Sequence, residues 1–251
     1  TEFFLDALSR DGEQLLKPTY FMQSTHNTIS SLVGIKMKCN GYNITYAHKE
    51  LSFDSAMYDA WLQLRLGMID SALVGGHDEM TPSYFKLLEK AGYLGQQSQL
   101  AGETAVSFVI GSKPHDKHLC RFGGIRMMYC PDKEEIGRQL HELLDSANIP
   151  MSDVSGVLTS MNGNAEHDAY ISELCGNLFA GIPVLRYKHL FGESYTASVL
   201  GLYVAATCLS KGRIPESLYV DATSCKPLKP KALLLLNTTD EKCCSLMLVT
   251  I

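Results

Sequence analysis

A chain of 251 residues, 45% hydrophobic and 20% charged, has ordinary globular composition and is long enough to bury roughly 70–75% of the surface its unfolded form exposes. A formal charge of -5 and a pI near 5.9 leave no excess of Lys and Arg to displace counterions, so nucleic acid is not an expected partner. No apolar run reaches the ~18 residues of a membrane span, and the opening TEFFLDALSRDGEQ lacks the basic start and apolar middle of a signal peptide, so a soluble cytoplasmic protein is the expectation.

In chain order, a short helix is expected over 3–9 and a longer one from about Tyr20 to Met37. A strand follows over 42–47, where Tyr42, Ile44 and Tyr46 alternate with polar residues. The polar elbow Ala47-His48-Lys49 then feeds a helix over 53–67, with Phe53, Ala56, Met57, Ala60 and Leu64 on one face. DSALVGG (70–76) reads as a buried strand ending in two glycines, and ETAVSFVIG (103–111) as another.

After the polar joint SKPHDKH (112–118) the same alternation begins again. A strand is expected over 120–130, and a helix over 132–147 carrying Ile136, Leu140, Leu143 and Leu144. A strand with a polar end covers 154–163 and a helix 165–179. A long helix over 194–210 then presents Ala197, Leu200, Gly201, Val204 and Cys208 on one side, and the strands KALLLLN and CCSLMLV close the chain. The eight cysteines show no CxxC spacing, which removes support for zinc or thioredoxin-like chemistry, and Cys243-Cys244 reads as two small strand residues rather than a redox pair. Two α/β halves of similar order, 1–116 and 117–251, are expected, with mixed sheets covered by helices and strands apolar on both faces.

A strand that turns sharply into a helix is a natural seat for a nucleophile. The first helical turn offers unpaired N–H groups and a positive dipole end, both of which stabilise a thiolate or an oxyanion. The elbow at 47–49 has that shape but no cysteine, and none occurs between residues 40 and 119.

Four motifs in this order resemble the β-ketoacyl synthases, with their thiolase-like layered αβαβα fold. SALVGGHDEM is similar to the strand and glycine turn after that family's nucleophile helix, and AGETAVSFVIGSKP to its GEGAAxxVL strand. VSGVLTSMNGNAEHD stands where the family has a strand ending in His-Gly-Thr, and YKHLFGESYTASVLG where it has Lys-x-x-x-Gly-His before a small-residue helix. Synthases of the family are longer, so the resemblance implies a truncated amino-terminal half lacking its first strand and helix.

The resemblance implies a cysteine that carries the acyl chain as a thioester, two histidines that help decarboxylate the malonyl unit, and backbone N–H groups that bind the oxyanion. Here the nucleophile position falls at Ala47, the first histidine position at Asn162 and the second at Glu193, while Lys188 matches the family's lysine. An amide cannot shuttle a proton near neutral pH, and a carboxylate opposes the negative charge that develops on decarboxylation. At five residues' separation, Lys188 is expected to pair with Glu193 in a structural role.

Other candidates carry a plainer reading beside the chemical one. His48 is a possible base for Ser52 or Ser55, but Ser52 also reads as the N-cap of the following helix and His48 as a polar loop residue. His26 reads as a core or interface histidine on the helix before the elbow. His189 precedes Gly192 instead of following it, and so should point elsewhere. His77 and Asp78 have metal-ligating chemistry but no third ligand nearby, and read as part of a turn. Phe191 and Tyr195 are large enough to close an acyl tunnel.

The resemblance therefore implies a catalytically silent or altered relative, like the chain-length-factor subunits of polyketide and aryl-polyene pathways. It implies no cofactor or metal. Its partners would be an active ketosynthase, or a second copy in a dimer, and an acyl carrier protein. An acyltransferase with a non-cysteine nucleophile and a non-catalytic acyl-binding homodimer are the alternatives.

Overall fold

The computed structural model describes residues 1–13, 17–94, 99–225, 229–239 and 243–251. These residues fall into two compact units, Thr1–Ala47 and His48–Ile251.

The first unit contains α1 (Glu2–Asp11), α2 (Pro18–Ser24) and α3 (Thr28–Met37). The single helix expected over 20–37 is broken at 25–27. There the Ser24 and Thr25 hydroxyls donate back to the carbonyls of Phe21 and Met22 (2.7 and 3.0 Å), offering the backbone an alternative to helical continuation. The strand expected over 42–47 is irregular and has no ladder partner among the described residues. Its polar positions are held to α3 instead: Asn43 Nδ2 donates to Ser30 O at 3.0 Å, and Thr45 Oγ1 lies 2.8 Å from Ser30 Oγ. Alternation alone does not make a strand when no neighbour is present to take the backbone groups.

In the second unit, α4 (Ser52–Arg65) leads to β1 (Ser71–Asp78), α5 (Pro82–Lys90) and β2 (Thr104–Gly111). β3 (Arg121–Met128), α6 (Lys133–Ala147), β4 (Val154–Thr159), α7 (Ala165–Leu178), β5 (Val184–Arg186), α8 (Lys188–Phe191), α9 (Ser198–Lys211), β6 (Ala232–Thr238) and β7 (Cys244–Thr250) follow. Residues 194–197 form a turn ahead of α9 rather than its first turn.

β1 and β2 pair antiparallel along their whole length, from Ser71 opposite Gly111 to Asp78 opposite Thr104. The turn expected at Gly75-Gly76 is therefore strand. Both glycines answer to close approach: a Cβ on Gly75 would lie 2.4 Å from Ser107 Oγ, and one on Gly76 would lie 2.8 Å from Thr196 Cβ.

The larger sheet has the order β3-β7-β6-β4-β5. β4 runs parallel to both β5 and β6, while β7 is antiparallel to β6 and β3. β6 and β7 are buried at every residue. Leu233 and Leu235 pack with Val199, Leu202 and Ala205 of α9 on one face; Leu234 and Leu236 pack with Ile136, Leu140, Ile171 and Leu174 of α6 and α7 on the other. Each fully buried Leu or Ile stabilises by about 1.5–3 kcal/mol, which is why these strands are apolar without alternation. Phe53 and Met57 of α4 and Val74 of β1 join the α9 cluster, so this core draws on residues from both sides of 116.

Candidate functional site

The carboxyl end of β4 and the segment around α8 bring three of the sequence candidates together. Asn162 Nδ2 donates to Glu193 Oε2 at 2.7 Å, and Lys188 Nζ donates to Glu193 Oε1 and Oε2 at 2.7 and 2.8 Å. The Ser194 N–H donates to Glu193 Oε1 at 3.1 Å. Lys188 and Glu193 are only 5% and 3% exposed. Removing two such charges from water is costly, and here the cost is offset by direct pairing and by two further donors on the carboxylate. Asn162 is fixed in turn: its N–H and that of Gly163 donate to the two oxygens of Asp168 (3.0 and 3.1 Å), and its own Oδ1 accepts from the Asn164 N–H at 3.0 Å.

Backbone geometry sets Glu193 in place. Gly192 has φ 82, in the left-handed region. The Glu193 N–H donates to Leu100 O at 2.7 Å, and its carbonyl accepts from the Gly102 N–H at 2.9 Å. The chains cross so closely that a Cβ on Gly102 would lie 2.1 Å from Phe191 O.

The elbow is arranged differently. Lys49 has φ 47, a left-handed conformation for a non-glycine residue that stores strain of about 1–2 kcal/mol. Ser52 is not the expected cap over the helix amides. It is the first residue of α4, and its Oγ accepts from the His48 N–H at 2.8 Å and donates to Lys49 O at 2.6 Å, tying the elbow shut. His48 Nδ1 lies 3.1 Å from Ser55 Oγ; Ser55 is buried and the histidine is exposed. Ala47 is the last residue of the first unit.

Other candidates sit apart from the web. His189 Nε2 is engaged by Ser217 O at 2.9 Å. His26 is exposed, in the break between α2 and α3 rather than on a helix. His77 and Asp78 end β1, and Asp78 Oδ2 accepts from the Thr196 N–H and Oγ1 at 2.6 and 2.9 Å, bracing the turn before α9. Among the described residues no group of three His, Cys, Asp or Glu is placed to hold a metal ion, and no helix is long and apolar enough to cross a membrane. Burial pushes the Cys120 and Cys208 thiols up to about 11 and Cys175 to about 12, away from thiolate chemistry.

Two features escaped sequence reasoning. Asp54 on α4 is fully buried and accepts from Ser198 Oγ (2.6 Å), Asn237 Nδ2 (3.3 Å) and Ser245 Oγ. Burial raises its carboxyl above the ordinary range against the opposing pull of those donors. Tyr93 and Tyr195 pack as a tilted aromatic pair with ring centroids 4.6 Å apart. Burial first, then the Glu193 and Glu50 carboxylates, holds the Tyr93 hydroxyl in its neutral form. The aspartate's one signal was an acid beside Phe53 on the apolar side of a helix start; its donors lie about 140–190 positions away in sequence.

Residues 4–119 match the sequence family described as Beta-ketoacyl synthase, N-terminal domain. No curated protein matches the sequence. Solved structures do match the fold. The ishigamide ketosynthase/chain length factor aligns with TM-score 0.82 at 15% identity, over 99% of this chain and 71% of that one. A ketosynthase (ApeO) in complex with its chain length factor (ApeC) from Xenorhabdus doucetiae aligns at 0.77 and 15%, over 98% and 70%. A type II polyketide acyl-carrier protein in complex with its ketosynthase (AntDE:AntF) aligns at 0.78 and 16%, over 95% and 70%. The class these findings define is the thiolase-like fold of the β-ketoacyl synthases. The chain spans about 70% of the length of the chains it matches.

Proposed function

We propose that the chain is a catalytically silent, chain-length-factor-like subunit of a fatty acid, polyketide or aryl-polyene pathway, acting in the cytoplasm beside an active ketosynthase and an acyl carrier protein. The observation that carries this reading is the state of Glu193. A carboxylate stands where the family has a histidine, and its oxygens are occupied by Lys188, Asn162 and the Ser194 N–H. Asn162, at the other histidine position, has both its amide nitrogen and its amide oxygen engaged. The bonded Glu193 carboxylate opposes the charge of an enolate, the Asn162 amide can donate a hydrogen bond but cannot shuttle a proton, and Ala47 carries no nucleophile. In coupled catalytic units the loss of one such group costs on the order of 10⁴–10⁶ in rate.

Two halves, 1–116 and 117–251, fit the proposal, with the 42–47 segment near the two-fold of a dimer. The exposed apolar residues of the first unit, among them Phe21, Leu32, Ile35 and Tyr42, suit burial against a second subunit. Co-expression with a ketosynthase encoded nearby is expected to yield a stable one-to-one complex. Separate, unassociated chains would count against the partnership.

One observation favours a second reading, an acyltransferase. His48 Nδ1 lies within hydrogen-bond reach of Ser55 Oγ at a helix start, the relation of a base to its nucleophile. Incubation with an acyl thioester followed by intact-mass measurement divides the two readings: no adduct is expected of a silent subunit, and a stoichiometric adduct on Ser55 supports the enzyme.

A further inference from the structure

β4 and β5 are parallel neighbours whose chains leave the sheet toward opposite faces. β4 leads into α7, which packs with Leu234 and Leu236, whereas β5 leads through α8 into α9, which packs with Leu233 and Leu235. Strands that part in this way leave a crevice beyond their carboxyl ends, where ligands of open α/β sheets bind. A cavity of about 110 Å³ lies there, with Leu100, Met161, Asn162, Asp168, Arg186 and Lys188 among its walls.

The charges on those walls are not equally free. Lys188 is matched by Glu193, and both Asp168 oxygens accept backbone N–H groups. Arg186, the last residue of β5, is exposed, and its side chain forms no hydrogen bond or ion pair among the described residues. A guanidinium is built for a planar carboxylate, which it holds with two parallel hydrogen bonds. Leu100 and Met161 supply an apolar wall in the same cavity. A space of this size suits an acid of a few carbons.

We propose that this crevice is a binding site for a short-chain carboxylate, its carboxylate on Arg186 and its alkyl tail against Leu100 and Met161. The inference stands on the crevice alone and holds whether or not the chain pairs with a ketosynthase.

Calorimetric titration of the full chain with butyrate, and with the uncharged butyramide of similar shape, tests it. Butyrate is expected to bind more tightly by on the order of tenfold. Arg186→Gln should abolish that preference while leaving the thermal midpoint unchanged, because the side chain has no partner to lose. Leu100→Trp, which places bulk at the exposed wall, should weaken both compounds alike. Equal binding of the two compounds, a preference that survives Arg186→Gln, or no binding of butyrate at about 50 mM would each overturn the site. None of these results depends on the presence of a ketosynthase, so failure here and failure of the partnership are read separately.

Discussion

On the proposed reading, the Asn162–Lys188–Glu193 web and the elbow at 48–55 are the two places where the resemblance calls for catalytic groups, and they depart from that chemistry in opposite ways. In the web, ionisable groups are present but closed: the pair is buried and the carboxylate and amide are committed to neighbours. At the elbow, groups are more open but the thiol is missing, and a histidine at the surface faces one serine hydroxyl. A site loses reactivity as surely by satisfying its polar groups as by deleting them, since a fully bonded carboxylate has no lone pair to offer.

The sharpest way to break this contrast is to open the web. Lys188→Met strands a buried carboxylate and is expected to cost about 3–5 kcal/mol in urea denaturation, whereas Lys188→Met combined with Glu193→Leu should regain most of it. If the single variant is as stable as wild type, the Lys188–Glu193 pair does not offset the burial of its charges.

Asp54 comes next. Asp54→Ala leaves the Ser198, Asn237 and Ser245 donors unpaired, for an expected loss of about 1–3 kcal/mol. Because burial raises this carboxyl above its ordinary 3.8, the folded state holds the proton more tightly than the unfolded chain does. The stability carried by that proton is complete below the unfolded value and is lost as pH rises through the folded one. Asp54→Asn cannot titrate, so wild-type stability minus that of the variant should fall as pH rises past the ordinary carboxylate range and level off once the folded-state carboxyl has ionised; a flat difference would show that the donors hold the carboxyl near its ordinary value.

Gly102→Ala tests the strap behind Glu193. With a Cβ 2.1 Å from Phe191 O, either chain must shift, at an expected cost of about 1–3 kcal/mol. A substitution that leaves the melting curve unchanged would mean that the Ala101–Glu193 crossing is loose.

What could be read from the sequence divides along similar lines. KALLLLN and CCSLMLV were legible as strands because burial on both faces demands uninterrupted apolar runs, and α6 because its leucines keep helical spacing into one core. Expectations failed where a distant partner decides. The 42–47 segment alternates correctly but has no neighbouring strand. Gly75 and Gly76 read as a turn, but they pair with β2 in a strand where Ser107 and Thr196 leave no room for a side chain. The pairing of Lys188 with Glu193 was legible from a five-residue spacing. The Asn162 contact to the same carboxylate was not, because it joins residues 31 positions apart.

The smallest expected effect bears most directly on function. Ser55 Oγ has His48 Nδ1 at 3.1 Å, a contact to an exposed ring. Removing it with Ser55→Ala should cost only about 0.5–1.5 kcal/mol, the net worth of one ordinary hydrogen bond. If the elbow is merely structural, Ser52→Ala should cost as much or more, since that hydroxyl makes two contacts that hold the strained Lys49 turn. Under the proposed partnership, neither variant should then change association with a ketosynthase or the length of the product. If the elbow is instead a working base and nucleophile, the order reverses in a mass-spectrometric assay: Ser55→Ala abolishes acyl transfer while barely moving the melting temperature, and Ser52→Ala leaves transfer measurable despite its larger structural cost. Measuring both variants in both assays separates the two outcomes, because a stability defect follows Ser52 and a chemical one follows Ser55.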